Sequence, residues 1–103
     1  MVSADSWPFD QPRDCAVFTT RQVLDREEPI LHVTHDLDDH GWQFIGSSNG
    51  TGENGKIIAF HEAVDLDPSI LQLADLPVGW HARRDSLEEP WVREPYSDAT
   101  QTI

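Results

Sequence analysis

Histidine and aspartate side chains are concentrated between positions 32 and 40. The cluster comprises His32, His35, Asp36, Asp38, Asp39 and His40. Imidazole nitrogens and carboxylate oxygens are common metal ligands, and the same groups transfer protons in catalysis. In a strand, successive side chains point to opposite faces, so His32 and Asp36 would lie on one face and His35 on the other. Three ligands therefore do not converge without a distant residue such as His61 or His81. We expect a solvated acidic turn here, with no metal or other cofactor.

A nucleophile with a neighbouring base is the second kind of chemistry that the sequence could supply. Cys15, or a serine of the segment 47–55, could attack a substrate if a histidine accepted its proton. Cys15, however, opens an apolar run in an acidic protein, whereas reactive thiols occupy electropositive surroundings. We therefore assign no catalytic residue. A small metal-dependent or hydrolytic enzyme that uses the histidine and aspartate cluster is kept as an alternative function.

The glycine-rich segment 46–56 matches three motif patterns, and its context argues against each of them. GSSNG at 46–50 fits a nucleophile elbow, which requires a strand-to-helix turn. GTGENG at 50–55 fits a dinucleotide-binding loop, and the same glycines with Lys56 fit a P-loop; both require a helix to follow. Ile57 and Ile58 follow instead, and these residues favour a strand. We expect a mobile polar loop over 47–55 that binds no nucleotide.

Charge is the strongest signal in the composition. The 103 residues include 19 acidic side chains and 7 Lys or Arg, which gives a formal net charge of −12. Such a chain repels nucleic acid and anionic membranes, and it attracts a basic protein partner. The candidate partner-binding acids are Asp36, Asp38, Asp39 and Glu53. A protein that imitates DNA with its carboxylates is a further alternative, and it requires regular acidic spacing on one surface.

Basic and aromatic side chains come together near the predicted last strand. Arg83 and Arg84 follow Trp80, and Trp91 comes shortly after them. We include both arginines among the candidate partner-binding residues, because this group could hold an acidic or aromatic group of a partner. The alternative is that the arginines pair with carboxylates of the same chain while Trp80 packs in the core.

Apolar and β-branched residues predict strands within 15–20, 30–37, 41–46, 56–60 and 80–84. We expect the stretches 41–46 and 56–60 to form a hairpin at the centre of the sheet. Asp67 and Pro68 predict the start of a short helix, as N-cap and first helical residue. The fold class is therefore α+β, an antiparallel sheet of about four to five strands with one or two short helices on one face. The predicted core consists of Phe18, Val33, Phe44, Ile58, Phe60, Leu71 and Trp80.

The length supports one domain. We expect an irregular N-terminal lead-in at 1–14, a single α+β domain at 15–85, and an irregular C-terminal tail at 86–103. We exclude the lead-in from the core, although Trp7 and Phe9 could dock on the body. A single cysteine, no apolar run approaching about 18 residues and no basic-then-apolar start predict a cytoplasmic protein.

Several stretches of the sequence resemble the sequence pattern of a known bacterial protein family. They are CAVF at 15–18, GWQF at 41–44, Asp67-Pro68 with ILQL at 70–73, and LPVG at 76–79 leading to ARR at 82–84. With these, the chain resembles a bacterial domain-of-unknown-function family grouped with the immunity proteins of polymorphic-toxin systems. The resemblance implies a non-enzymatic inhibitor that binds a toxin, and it brings no catalytic residues. The loop at 46–55 and the tail at 90–93 depart from the pattern. The leading function is thus a small acidic binding protein, immunity-like, for a basic toxin or another basic protein.

Overall fold

The computed structural model describes residues 7–37, 40–47 and 55–95. These residues form an α+β fold with one mixed sheet and short helices, so the predicted fold class is confirmed at this level. The strands are β1 (Ala16–Thr20), β2 (His32–His35), β3 (Trp42–Ile45), β4 (Gly55–Ala59), β5 (Trp80–Arg83) and β6 (Val92–Pro95). The helices are α1 (Arg21–Leu24), α2 (Phe60–Leu66) and a 3-10 helix (Pro68–Leu73). Within the described residues, no helix has the length and apolar character that crossing a membrane requires.

The strands lie in the order β4-β1-β3-β2-β5-β6. The β1 and β3 strands are parallel, and the other four neighbouring pairs are antiparallel. The predicted hairpin between 41–46 and 56–60 is therefore wrong, because β1 lies between the two strands. The long connection after β3 allows β4 to cross over and pair with the far edge of β1. The sheet is also larger than predicted and mixed, since it has six strands and one parallel pair.

The β2 and β3 strands follow each other in the sequence and form an antiparallel pair. His32 pairs with Ile45 and His35 pairs with Trp42, and the backbone N–H of Asp36 donates to the Gly41 carbonyl at 2.8 Å. His35 is buried on the face that carries Val33, whereas His32 lies on the opposite face. The predicted division of the histidine cluster between two faces is confirmed.

The core lies between one face of the sheet and the helices. The sheet contributes Val17, Val33, Trp42, Phe44 and Ala82, and the helices and following turn contribute Val23, Phe60, Ala63, Ile70, Leu73 and Leu76. Of the predicted core, Val33, Phe44 and Phe60 are buried, and Ile58 and Trp80 pack against the core while partly exposed. Two assignments are wrong. Leu71 is 38% exposed, and Phe18, opposite Ile57 and Gln43 in the pairing, lies on the other face of the sheet.

Side-chain caps start two of the helices. The Thr20 hydroxyl accepts a hydrogen bond from the Val23 N–H at 3.3 Å, which starts α1 directly at the end of β1. The Asp67 carboxylate accepts one from the Ser69 N–H at 3.0 Å, with Pro68 in the first turn. The predicted helix start at Asp67 and Pro68 is confirmed, although the helix is of the 3-10 type.

Both terminal segments contribute more structure than the sequence predicts. Phe9 is only 6% exposed and its ring contacts those of Trp7, Trp42 and Phe60, so excluding this segment from the core is wrong. The predicted irregular tail contains β6, which pairs with β5 along its whole length. An isolated aromatic residue or a short strand beside prolines has no apolar period, and sequence patterns therefore miss both.

Candidate functional site

Of the four acidic residues predicted to bind a partner, only Asp36 lies within the described residues. Asp38, Asp39 and Glu53 lie outside the described residues. Asp36 is half-buried just after β2, and its carboxylate accepts a hydrogen bond from the Gln43 side-chain amide at 2.8 Å. The Asp36 carboxylate therefore already has a hydrogen-bond partner on the neighbouring strand β3.

The neighbouring arginines differ sharply in their surroundings. Arg83 is exposed on β5 and pairs with Glu94 of β6 at 3.1 Å. Arg84 is buried, and its guanidinium donates to the Ile30 carbonyl, at 3.2 Å from Nε and 2.9 Å from Nη2. Of the two, Arg83 is the one that a partner can reach.

The remaining donors of Arg84 hold the start of the 3-10 helix. Its Nη2 lies 2.5 Å from Asp67 Oδ2, its Nη1 donates to the Ser69 hydroxyl at 3.2 Å, and the Trp91 ring covers its other side, with Cζ 4.0 Å from the ring centroid. The alternative interpretation, internal pairing, therefore describes Arg84. We leave this residue out of the partner surface and assign it a positioning role.

Arg84 positions two walls of a pocket of about 330 Å³. We call it the Ile30 pocket. Its apolar lining consists of Val23, Pro29, Ile30, Leu66, Pro68 and Leu87, and its polar lining consists of Arg26, Glu28 and Asp67. The guanidinium joins Ile30, on one wall, to Asp67, on the other. The pocket therefore has a fixed apolar floor beside two carboxylates.

Local sequence features shape the wall that contains Glu28 and Pro29. Arg26 adopts a positive φ of 63°, which reverses the chain after α1. Gly46, at the end of β3, packs so closely behind this wall that a Cβ atom would lie 2.7 Å from Glu28 Oε1 and 2.8 Å from the Pro29 carbonyl oxygen. Only a glycine allows β3 to approach the wall in this way.

An acidic turn lies beside the pocket opening. Leu87 lines the pocket with 57% of its surface exposed, within the sequence Asp85-Ser86-Leu87-Glu88-Glu89. Among the described residues, the carboxylates of Asp85, Glu88 and Glu89 have no ion-pair partner. The surface thus combines an accessible apolar anchor with uncompensated negative charge. The sequence patterns did not indicate this surface; their available signal was a leucine flanked by acidic residues at 85–89.

The histidines form a pair on the opposite face of the sheet. His32 Nε2 lies 2.8 Å from His81 Nδ1, and His81 Nε2 lies 3.4 Å from Glu94 Oε1. Burial, with further contributions from His81 and Arg83, lowers the pKa of His32 below its ordinary value. The described residues contain no group of three His, Cys, Asp or Glu side chains that could hold a metal ion. The contact is a hydrogen bond between two imidazoles that joins β2 to β5.

Comparisons with known proteins give no relative from which to transfer a function. No family model, no curated protein and no solved structure matches this chain. The resemblance to immunity proteins stays a prediction, and the functional argument rests on the pocket and the charge.

Proposed function

We propose that this chain is a non-enzymatic binding protein for a basic protein partner. The observation that carries the proposal is the Ile30 pocket, where an apolar floor and the exposed Leu87 lie beside an acidic turn. The carboxylates of this turn, Asp85, Glu88 and Glu89, have no ion-pair partner among the described residues. An apolar side chain of the partner would enter the pocket, and flanking Lys or Arg residues would pair with Glu88 and Glu89. Contacts of this kind combine a buried anchor, which supplies affinity, with complementary charge, which speeds association.

The resemblance to immunity proteins gives the proposal a specific form. In that form the partner is a toxin, the chain inhibits it by covering a basic surface, and both act in the cytoplasm. The net charge of −12 supports this version because a basic toxin surface would attract the chain over a distance of about one Debye length.

The test is capture of partners from a lysate of the source organism on the immobilised protein at low salt. We expect a basic protein whose recovery falls as salt rises. Replacing Leu87 by Ala should lower the affinity of that partner about tenfold or more, since it removes the exposed anchor. Leu37→Ala is the matched control, because Leu37 is equally exposed, at 57%, and lies outside the pocket.

The charge contribution is tested in a second pair of variants. Glu88→Gln with Glu89→Gln should slow association and flatten its salt dependence, whereas Asp14→Asn with Asp65→Asn removes the same charge from exposed positions outside the pocket. A partner that binds all four variants equally would contradict the proposed surface. Capture of no basic partner would contradict the proposed function itself.

A further inference from the structure

The sheet ends at β4 on one side, and no strand of the described residues pairs with the outer edge of β4. In an antiparallel pair, successive residues direct their N–H and C=O groups alternately toward and away from the neighbouring strand. The Phe60 N–H donates to the Cys15 carbonyl at 2.8 Å, so the N–H of Ile58, two residues earlier, also points toward β1. The residues of β4 whose backbone groups point outward are therefore Gly55, Ile57 and Ala59.

Ile57 is the most open of these positions. The outward N–H of Ala59 is satisfied, since it donates to Glu62 Oε1 at 2.9 Å. The outward N–H and C=O of Ile57 have no partner within the described residues, and its side chain, at 66%, is the most exposed of the large apolar side chains described. The edge thus combines free backbone groups with an exposed β-branched residue, which favours pairing with another strand.

The opposite edge of the sheet is protected against such pairing. Pro90 comes shortly before β6, and Pro95 is its last residue. Prolines offer no N–H, and natural proteins place them on edge strands to prevent further pairing. The β4 sequence, GKIIA, contains no proline. Of the two edges, β4 is therefore the one that can accept a further strand.

We propose that β4 pairs with β4 of a second copy of this chain, antiparallel and across a two-fold axis at Ile57. The two copies of Ile57 then lie opposite each other and exchange both N–H···O=C bonds. Gly55 lies opposite Ala59 of the second copy, and its carbonyl replaces the Glu62 carboxylate as the acceptor of the Ala59 N–H. The pairing leaves no outward N–H of β4 without an acceptor.

Charge complementarity favours a second copy as the occupant of this edge. In the proposed pair Lys56 lies opposite Ile58 of the second copy, next to the end of β4 where Glu62 is released. Lys56 is the single lysine of the chain, and neither Lys56 nor Glu62 has an ion-pair partner among the described residues. The two-fold axis forms the pair of Lys56 with Glu62 twice, so the edge is complementary to itself.

The test is sedimentation equilibrium of the full chain at up to about 1 mM protein in about 0.5 M sodium chloride, where salt screens the repulsion between two copies of charge −12. We expect the weight-average mass to rise from 11.7 kDa toward twice that value. Ile57→Lys should weaken this association about tenfold or more. Val92→Lys is the matched control, because Val92 is an exposed apolar residue of β6 and the charge change is the same. A mass that stays at 11.7 kDa, or equal association of both variants, would overturn the inference.

Amide hydrogen exchange identifies the surface that associates. In dilute protein the Ile57 N–H should exchange fast and the Ile58 N–H slowly, because only the latter points toward β1. At concentrations where the mass rises, exchange at Ile57 should slow about tenfold or more. Slow exchange at Ile57 in dilute protein would mean that another part of the chain covers the edge, and association without protection of Ile57 would mean that another surface associates. Either result would overturn the inference, and neither bears on capture of a basic partner at the Ile30 pocket.

Discussion

Arg83 and Arg84 are adjacent arginines at the end of β5, and their side chains point to opposite sides of the sheet. One is exposed and the other is buried. Arg83 keeps 52% of its side chain exposed, and Arg84 keeps 4%. The sequence places a basic pair after Trp80, yet it does not reveal which arginine faces inward. That depends on Asp67 and the Ile30 carbonyl, which the fold brings to Arg84 from distant positions. Sequence reasoning could therefore name the pair and the alternative of internal pairing, but it could not choose the residue.

Replacing Arg84 by Ala should lower the free energy of unfolding by about 3 kcal/mol or more, because it leaves Asp67 and the Ile30 carbonyl without their partner. Urea denaturation measures the change. Arg83→Ala is the control, and its exposed pair with Glu94 should contribute less than about 1 kcal/mol. Similar losses in the two variants would mean that Arg84 is not a structural residue.

Acidification should destabilise the protein through His32. Burial lowers the pKa of His32 from its ordinary value of 6.5, so the folded protein favours the neutral ring. As the pH falls below about 6.5, the unfolded chain binds a proton that the folded protein resists, and the stability contributed by neutral His32 is lost through its folded pKa. The fall in Tm between about pH 7.5 and about pH 5.5 should therefore be smaller for His32→Gln than for the unchanged protein. His61→Gln, at an exposed helix position, should keep the full fall, and identical falls in all three proteins would exclude this role of His32.

At the scale of elements, the sequence predicts which stretches form strands better than it predicts which strands pair in the sheet. Val17 and Ile58 are a matched pair on the core face, but nothing local to either stretch shows that they meet across about forty residues. The hairpin rule favours adjacent stretches in the sequence, and here the long connection after β3 overrides it. The position of the Ile30 pocket depends on the same tertiary arrangement, so its lining could not be assembled from the sequence.

The end of β3 should not tolerate any side chain at Gly46. Gly46→Ala places a Cβ atom against Glu28 and the Pro29 carbonyl, and a backbone oxygen cannot move aside cheaply. We expect a loss of about 1 to 3 kcal/mol in urea denaturation. The double variant with Glu28→Ala should not restore stability, because the contact with Pro29 persists. Full recovery in the double variant would show that the clash is with the Glu28 side chain alone.

The N-terminal segment should stabilise the whole fold. Phe9→Ala removes a buried ring that contacts three other aromatic rings, and we expect a loss of about 3 to 5 kcal/mol. Phe18→Ala, on the opposite face of the sheet and half-buried, should cost less. Thermal denaturation of the two variants compares them directly, and a larger loss for Phe18 would place the main core on the wrong face.

On the scale of the whole molecule, the excess of acidic residues destabilises the folded state, although the same charge would attract the proposed basic partner. A net charge of −12 on 103 residues repels itself most strongly in the compact state. Because this net charge already counts every Lys and Arg, ion pairs such as Arg21 with Asp25 and Arg83 with Glu94 do not reduce it.

Salt should therefore stabilise the free protein. We expect Tm to rise between about 0.01 M and about 0.15 M sodium chloride, as the Debye length falls from about 30 Å to about 8 Å. The variant pairs Glu88→Gln with Glu89→Gln and Asp14→Asn with Asp65→Asn should both show a smaller rise, since each removes two negative charges. A fall in Tm with salt would mean that the ion pairs outweigh the repulsion.

The position of β1 between β3 and β4 has a consequence for synthesis on the ribosome. This strand leaves the exit tunnel early, but its two neighbours, at 42–45 and 55–59, are translated later. Until Ala59 has emerged, one hydrogen-bonding edge of β1 has no native partner, and the apolar side chain of Val17 lacks the cover that Ile58 and Phe60 complete. We therefore expect a nascent chain paused before Gly55 to expose this edge to chaperones, because the native sheet can form only after most of the protein has been made.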